Sequence, residues 1–146
     1  MQFLILNGPN LHLLGLREPA LYGKQDYAAL CRFVTECCEQ NGIACKILQS
    51  NHEGTLVDAI GQAYYDGVDG IVLNPAAYTH TSIALLDALK AVPIPAVEVH
   101  LTDIAAREPF RQISYPGMAC LKTFKGLGFE SYRQAILYLK DYLHNG

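Results

Sequence analysis

A doubly wound α/β fold, with one parallel sheet of five strands and helices on both faces, is what this sequence predicts. Three observations lead there. Five short apolar runs are spread along the chain, helical periodicity fills most of the intervals between them, and polar groups suited to chemistry follow the first, third and fourth runs.

The apolar runs are Phe3-Leu4-Ile5-Leu6, Cys45-Lys46-Ile47-Leu48, Ile71-Val72-Leu73, Ala96-Val97-Glu98-Val99 and Met118-Ala119-Cys120-Leu121. Near-continuous apolarity over so few residues is the mark of strands buried on both faces. The helical sets are Tyr27, Leu30, Cys31, Val34 and Cys38; Leu56, Ile60 and Ala63; Ile83, Leu86 and Leu89; and Tyr132, Ile136, Leu139 and Leu143. Each recurs near 3.6 residues. Asp26 suits an N-cap, while Asn41-Gly42, Asp66-Gly67 and Pro93 to Pro95 supply stops. The order expected is β-α repeated five times. Right-handed crossovers then put helices on both sides of a parallel sheet, the flavodoxin-like arrangement, whose ligands bind beyond the carboxyl ends of the strands.

At 146 residues and 51% apolar content, the chain has the size of one ordinary domain, 1–146. A net charge of −3, without a block of like charges, gives no electrostatic footprint for nucleic acid or anionic membrane. The opening apolar run stops at Asn7, short of a signal peptide or spanning helix, so a cytoplasmic location is expected. Cysteines 31, 37, 38, 45 and 120 form no CxxC pair and read as small apolar fillers. No metal site is expected, because His80 and His100 fall on different elements and no HExxH or compact carboxylate cluster accompanies them. The first strand is not followed by GxGxxG or a Walker sequence, so dinucleotide and nucleoside triphosphate binding lack their phosphate cradle, and Ser82 lacks the GxSxG elbow of a serine nucleophile, which leaves acid–base chemistry.

The long aperiodic stretch runs from Asn7 to Gly23, and seventeen such residues inside a compact domain signify a functional loop. Asn7, Gly8, Pro9, Asn10, Arg17 and Tyr22 follow the first strand. Asn74, Tyr78, Thr79 and His80 follow the third, and Glu98-Val99-His100-Leu101-Thr102-Asp103 closes the fourth, ahead of Arg107 and Arg111. Amides, imidazoles and guanidiniums thus converge at one sheet edge, where they can hold a small anion. Plain alternatives stand beside each. Asn7-Gly8-Pro9-Asn10 can be a simple turn, His80 can bond a helix terminus, and His100 can be a satisfied core histidine. Glu98 is harder to dismiss, since a carboxylate at a buried strand end is costly unless paired. Residues 98, 100 and 102 alternate onto one face of an extended segment, so a Glu98–His100 partnership is expected.

These strings resemble the type II 3-dehydroquinate dehydratases. The resemblance rests on Leu4-Ile5-Leu6-Asn7-Gly8-Pro9-Asn10-Leu11, Leu14-Gly15, Arg17-Glu18-Pro19 and Tyr22-Gly23; on Gln49 to Gly54; on Leu73 to His80; and on Glu98-Val99-His100 with Arg107-Glu108 and Phe110-Arg111. It implies a cofactor-free lyase that removes a proton alpha to the ketone of 3-dehydroquinate and expels the neighbouring hydroxyl as water. Tyr22 matches the family's base and Arg17 the residue that activates it. A phenol ordinarily ionises near ~10, so a phenolate at neutrality costs about 3–4 kcal/mol, much of which a close guanidinium offsets. Asn10 matches the residue that stabilises the enolate, His100 the general acid, and Glu98 its orienting carboxylate. Asn74, His80 and Arg111 match positions that engage ring hydroxyls; the Leu101 and Thr102 amides match the carboxylate cradle. Asp87 matches a position that reaches a neighbouring subunit's site, in trimers assembled into a dodecamer. The loop suggests a lid, with Gly15 and Gly23 as hinges.

The sequence departs from that pattern at Thr102-Asp103, where Ser-Asn is usual, at Ala105 and Ile113, and at His12 in place of asparagine. Asp103 adds a negative charge near the cradle, which weakens binding unless Arg107 or Arg111 compensates. The fold alone also permits two other classes, a non-catalytic small-anion-binding module and a flavin-binding electron carrier. The second is disfavoured by the missing tryptophan and phosphate loop.

Overall fold

The computed structural model describes residues 1–16 and 25–146. Five strands, β1 (Gln2–Asn7), β2 (Ala44–Gln49), β3 (Gly70–Asn74), β4 (Ala96–Val99) and β5 (Thr123–Phe124), form one sheet in the order β2-β1-β3-β4-β5, with every neighbouring pair parallel. Among the described residues four α-helices accompany them: α1 (Tyr27–Gln40), α2 (Glu53–Tyr65), α3 (Ile83–Ala91) and α4 (Phe129–Asn145). This is the flavodoxin-like doubly wound fold, and its chain reverses direction across the sheet between β1 and β3.

Alternation along the strands divides the core in two. Phe3, Ile5, Val72, Val97 and Val99 pack under α1 and α4 with Leu30, Val34, Tyr132, Ile136 and Leu139. Leu4, Leu6, Ile71, Leu73 and Ala96 face the other way, against Leu56 and Ile60 of α2 and Leu85 and Leu89 of α3. Each large side chain so buried contributes about 1.5–3 kcal/mol. Asp26 caps α1, its carboxylate accepting from Ala29 N at 2.8 Å, and Ser82 caps α3 by accepting from Leu85 N at 2.9 Å. Gly42 and Gly67 end α1 and α2 at φ of 69° and 72°, where a side chain would be strained.

Three expectations shift. No α-helix joins β4 to β5; three 3-10 turns, Ile104–Ala106, Pro109–Arg111 and Pro116–Ala119, fill that connection instead. The fifth strand also lies beyond the Met118–Leu121 run. Pro116 opens a turn there, Met118 points outward, and Ala119 and Cys120 pack on the edge of the core. Pairing with β4 starts only at Leu121, whose N–H donates to Ala96 O, and ends where His100 N donates to Phe124 O, both at 2.8 Å. In α3 the buried residues are Leu85, Leu86 and Leu89, while Ile83 is exposed. No helix among the described residues is long and apolar enough to cross a membrane.

Candidate active site

Parallel register brings Asn7, Gln49 and Asn74 level at the carboxyl ends of β1, β2 and β3. Asn7 and Asn74 point toward the α1/α4 side, where the phenol of buried Tyr132 bridges them. It donates to Asn7 Oδ1 at 2.6 Å and accepts from Asn74 Nδ2 at 2.9 Å. Asn74 Oδ1 accepts from Ala76 N at 3.1 Å, which fixes the orientation of that amide and leaves its second N–H unspent. Asn7 Nδ2 reaches Tyr27 Oη at 3.4 Å. Burial pushes the Tyr27 phenol up to about 12 and drives that of Tyr132 up as well, so neither is a phenolate near neutrality.

The chain leaves β1 through Gly8, whose N–H donates to Asn74 O at 2.8 Å. The backbone approaches so closely here that a Cβ on Gly8 would lie 2.6 Å from Pro75 O. Asn10 follows in the left-handed conformation, φ 69°, with its N–H donating to Asn51 Oδ1 at 2.9 Å. Gln49 holds the same oxygen at 3.1 Å, and Tyr78 Oη donates to Asn51 O at 2.9 Å. A 3-10 turn over Leu11–Leu13 and Gly15 at φ 92° carry the chain to residue 16. Arg17, Tyr22 and Gly23 lie outside the described residues.

Glu98 and His100 close β4. Glu98 is 1% exposed and His100 4%, and the ring Nε2 stands 2.7 Å from Glu98 Oε2. An ionised carboxylate only accepts, so this nitrogen carries the hydrogen and Nδ1 is the one left for a ligand. Ser114 Oγ donates to the same carboxylate oxygen at 2.6 Å, and Thr123 Oγ1 donates to the other at 2.8 Å. Burial by itself pushes the Glu98 carboxyl up. The hydrogen bond and charge of His100, with the Ser114 and Thr123 hydroxyls, outweigh that and hold it below the ordinary carboxylate value. His80, at the end of the 3-10 turn Ala76–His80, donates from Nδ1 to Ile113 O at 2.9 Å, leaving Nε2 for a ligand.

These groups surround a cavity of 210 Å³, lined among others by Asn74, His80, His100, Leu101, Thr102, Arg107 and Arg111. Among the described residues, no oxygen accepts from the N–H groups of Leu101 and Thr102, and such adjacent free donors suit an anion. Arg111 is steadied by Glu108, 2.5 Å from its Nε. A wider groove of 730 Å³ opens at the opposite end of the sheet, lined largely by apolar residues such as Leu89, Ile94, Met118 and Leu121. It gathers no comparable set of titratable groups, so the smaller cavity is the candidate active site.

The structure therefore brings Asn74, His80, His100, Leu101, Thr102 and Arg111 together, with Glu98 directly behind His100. Asn10 sits on the adjoining turn, exposed, with its neighbour Leu11 reaching the cavity. Asp87 is exposed on α3, away from this lining. The alternation expected for 98, 100 and 102 holds for Glu98 and His100 and stops there, because the chain bends at 101–102. Thr102 still reaches the cavity through that bend. The charge of Asp103 is met by neither arginine: its Oδ1 caps the 3-10 turn by accepting from Ala105 N at 3.0 Å and lies 3.7 Å from Lys125 Nζ. Arg107 and Arg111 are left facing the cavity. Arg107 joins Arg111 at the cavity, as the run of arginines after the fourth strand suggests. Sequence reasoning missed Ser114 and Thr123 as partners of Glu98, and no local signal marks either.

An α/β fold of this topology, with an anion-sized strand-end cavity backed by a buried imidazole–carboxylate pair, defines an acid–base site on a flavodoxin-like scaffold. Residues 1–140 match the family described as Dehydroquinase class II. The chain is 50% identical over 143 residues to the 3-dehydroquinate dehydratase of Carboxydothermus hydrogenoformans, covering 98% of this chain and 92% of that one. It is 53% identical over 132 residues to the 3-dehydroquinate dehydratase of Rhodopseudomonas palustris, covering 90% and 87%. The crystal structure of the type II dehydroquinase from Butyrivibrio crossotus superposes with a TM-score of 0.91 at 44% identity, over 96% of this chain and 97% of that one. The chain belongs to the class II dehydroquinase family.

Proposed function

We infer that this chain is a 3-dehydroquinate dehydratase, a hydro-lyase that converts 3-dehydroquinate to 3-dehydroshikimate and water through an enolate. The observation that carries the reading is the buried Glu98–His100 pair, 2.7 Å apart, at the wall of an anion-sized cavity in a class II dehydroquinase. Family membership disfavours a non-catalytic binding module.

In this reading the substrate carboxylate takes the free N–H groups of Leu101 and Thr102, and Asn74, His80 and Arg111 engage the ring hydroxyls. Tyr22, as phenolate beside Arg17, removes the proton alpha to the ketone. Asn10 stabilises the enolate oxygen, partly through water. The imidazolium of His100, held by Glu98, gives its proton to the departing hydroxyl. No step calls on a metal, a cofactor or an imine. Tyr27 and Tyr132 are unsuited to the base role because burial keeps both phenols protonated. That division leaves the base on the loop through residues 7–23 and the acid on the sheet edge, with closure of the loop joining them. The chain acts as a single catalytic domain over 1–146, in the cytoplasm, in the shikimate pathway or quinate breakdown. Asp87 reaches a neighbouring subunit's site within a dodecamer of trimers.

The test is an ultraviolet assay in the presence of chelator. Wild-type protein is expected to generate the enone absorbance of 3-dehydroshikimate, and Tyr22→Phe to lose at least about a hundredfold in kcat, the lower range for a positioned acid or base. Equal turnover by the two proteins would remove Tyr22 from the mechanism.

A further inference from the structure

Glu98 carries more hydrogen bonds than a partner for His100 alone requires. Oε2 accepts from both His100 Nε2 and Ser114 Oγ, at 2.7 and 2.6 Å, and Oε1 accepts from Thr123 Oγ1 at 2.8 Å. Both oxygens are pinned, so the carboxylate cannot rotate. Each hydroxyl is itself fixed. Gly117 N donates to Ser114 Oγ at 3.0 Å, which leaves the serine's own hydrogen for the carboxylate. Thr123 stands opposite Glu98 in the β4/β5 register. A Cβ on Gly117 would lie 2.5 Å from Glu98 Oε1 and 2.7 Å from Ser114 Oγ, so the absence of a side chain lets the loop close over the pair.

An imidazolium beside a carboxylate in a dry pocket can pass its proton across to give a neutral pair, the form that burial favours. Donors aimed at the carboxylate favour the ion pair, because they stabilise its negative charge. Cys120, the titratable neighbour from the same loop, is pushed up to about 12, first by burial and then by the Glu98 charge, and stays a neutral thiol.

We propose that Thr123 and Ser114 are positioning residues for the general acid: their hydroxyls fix the plane and the charge of Glu98, so that the imidazole keeps the proton and presents Nδ1 to the cavity. On this assignment β5, only two residues long, serves catalysis by delivering one hydroxyl beneath Glu98. The inference rests on His100 being the acid.

Its test compares Thr123→Val, which keeps the shape and loses the hydroxyl, with Thr123→Ser, which keeps the hydroxyl and loses a methyl. Thr123→Val is expected to lower kcat on 3-dehydroquinate about tenfold, a fraction of what a general acid supplies, with KM within about twofold of wild type. Thr123→Ser retains wild-type kcat. If Thr123→Val fails to fold, as read by thermal unfolding, Ser114→Ala carries the same expectation from the neighbouring loop. The inference is overturned if the hydroxyl-free variants keep full kcat, lose activity through KM alone, or if Thr123→Ser falls as far as Thr123→Val. His100→Gln separates the two levels. Full activity there sinks the acid assignment and this inference with it; loss there beside unaffected Thr123→Val and Ser114→Ala sinks this inference alone.

Discussion

Glu98 keeps its charge in a site where only 1% of its surface meets solvent, and that has a consequence for stability. Its folded-state pKa lies below the ordinary value of 4.5. The stabilisation it provides is therefore complete above that value and is lost as pH falls through the depressed folded value. Urea unfolding from pH 7 down to pH 3 is expected to show a shallower acid decline for Glu98→Gln than for wild type. Parallel declines would place the acid-sensitive group elsewhere. At this scale the pair was legible, because two polar residues at i and i+2 closing a buried strand have few other uses. Its supports were not. Ser114 and Thr123 lie 16 and 25 residues downstream of Glu98, and nothing local marks a serine or threonine that will meet a carboxylate across a sheet.

The elements were legible where a period could be read and obscure where composition stood alone. The register of α1 and α4 follows from their apolar spacing, and Asp26 caps α1 as its position suggests. The Met118–Leu121 run had apolarity without period, and a turn begun by Pro116 used it to cover the core edge instead of forming the strand. In α3, Ile83 sits in the first turn after the Ser82 cap and faces outward, so the buried stripe passes through Leu85 and Leu89. The join between β1 and β3 is a close approach of backbone to backbone. Gly8→Ala would press a methyl against the Pro75 carbonyl, backbone that cannot swing aside as a side chain can. The expected loss is about 1–3 kcal/mol in the stability obtained from urea unfolding, the range for overpacking. An unchanged midpoint would mean that the two strand ends can part without cost.

Across the whole molecule, the order β2-β1-β3-β4-β5 explains why residues distant in sequence meet. The reversal between β1 and β3 sets Asn7 level with Asn74, and β4 beside β3 adds Glu98 and His100. Sequence alternation predicted that edge before any side chain was placed, because doubly wound sheets bind ligands there. The exact lining was beyond it, since Leu11 and Ile104 reach the cavity through turns that no periodicity describes. Activity of the whole molecule depends on one rigid acid, His100 backed by Glu98, acting on 3-dehydroquinate. Steady-state turnover of wild type and His100→Gln, followed by enone absorbance, tests that most directly. The account predicts a folded variant whose kcat is lower by about a hundred- to ten-thousandfold; a variant that turns over as fast as wild type, or a wild type that leaves 3-dehydroquinate unchanged, would contradict it.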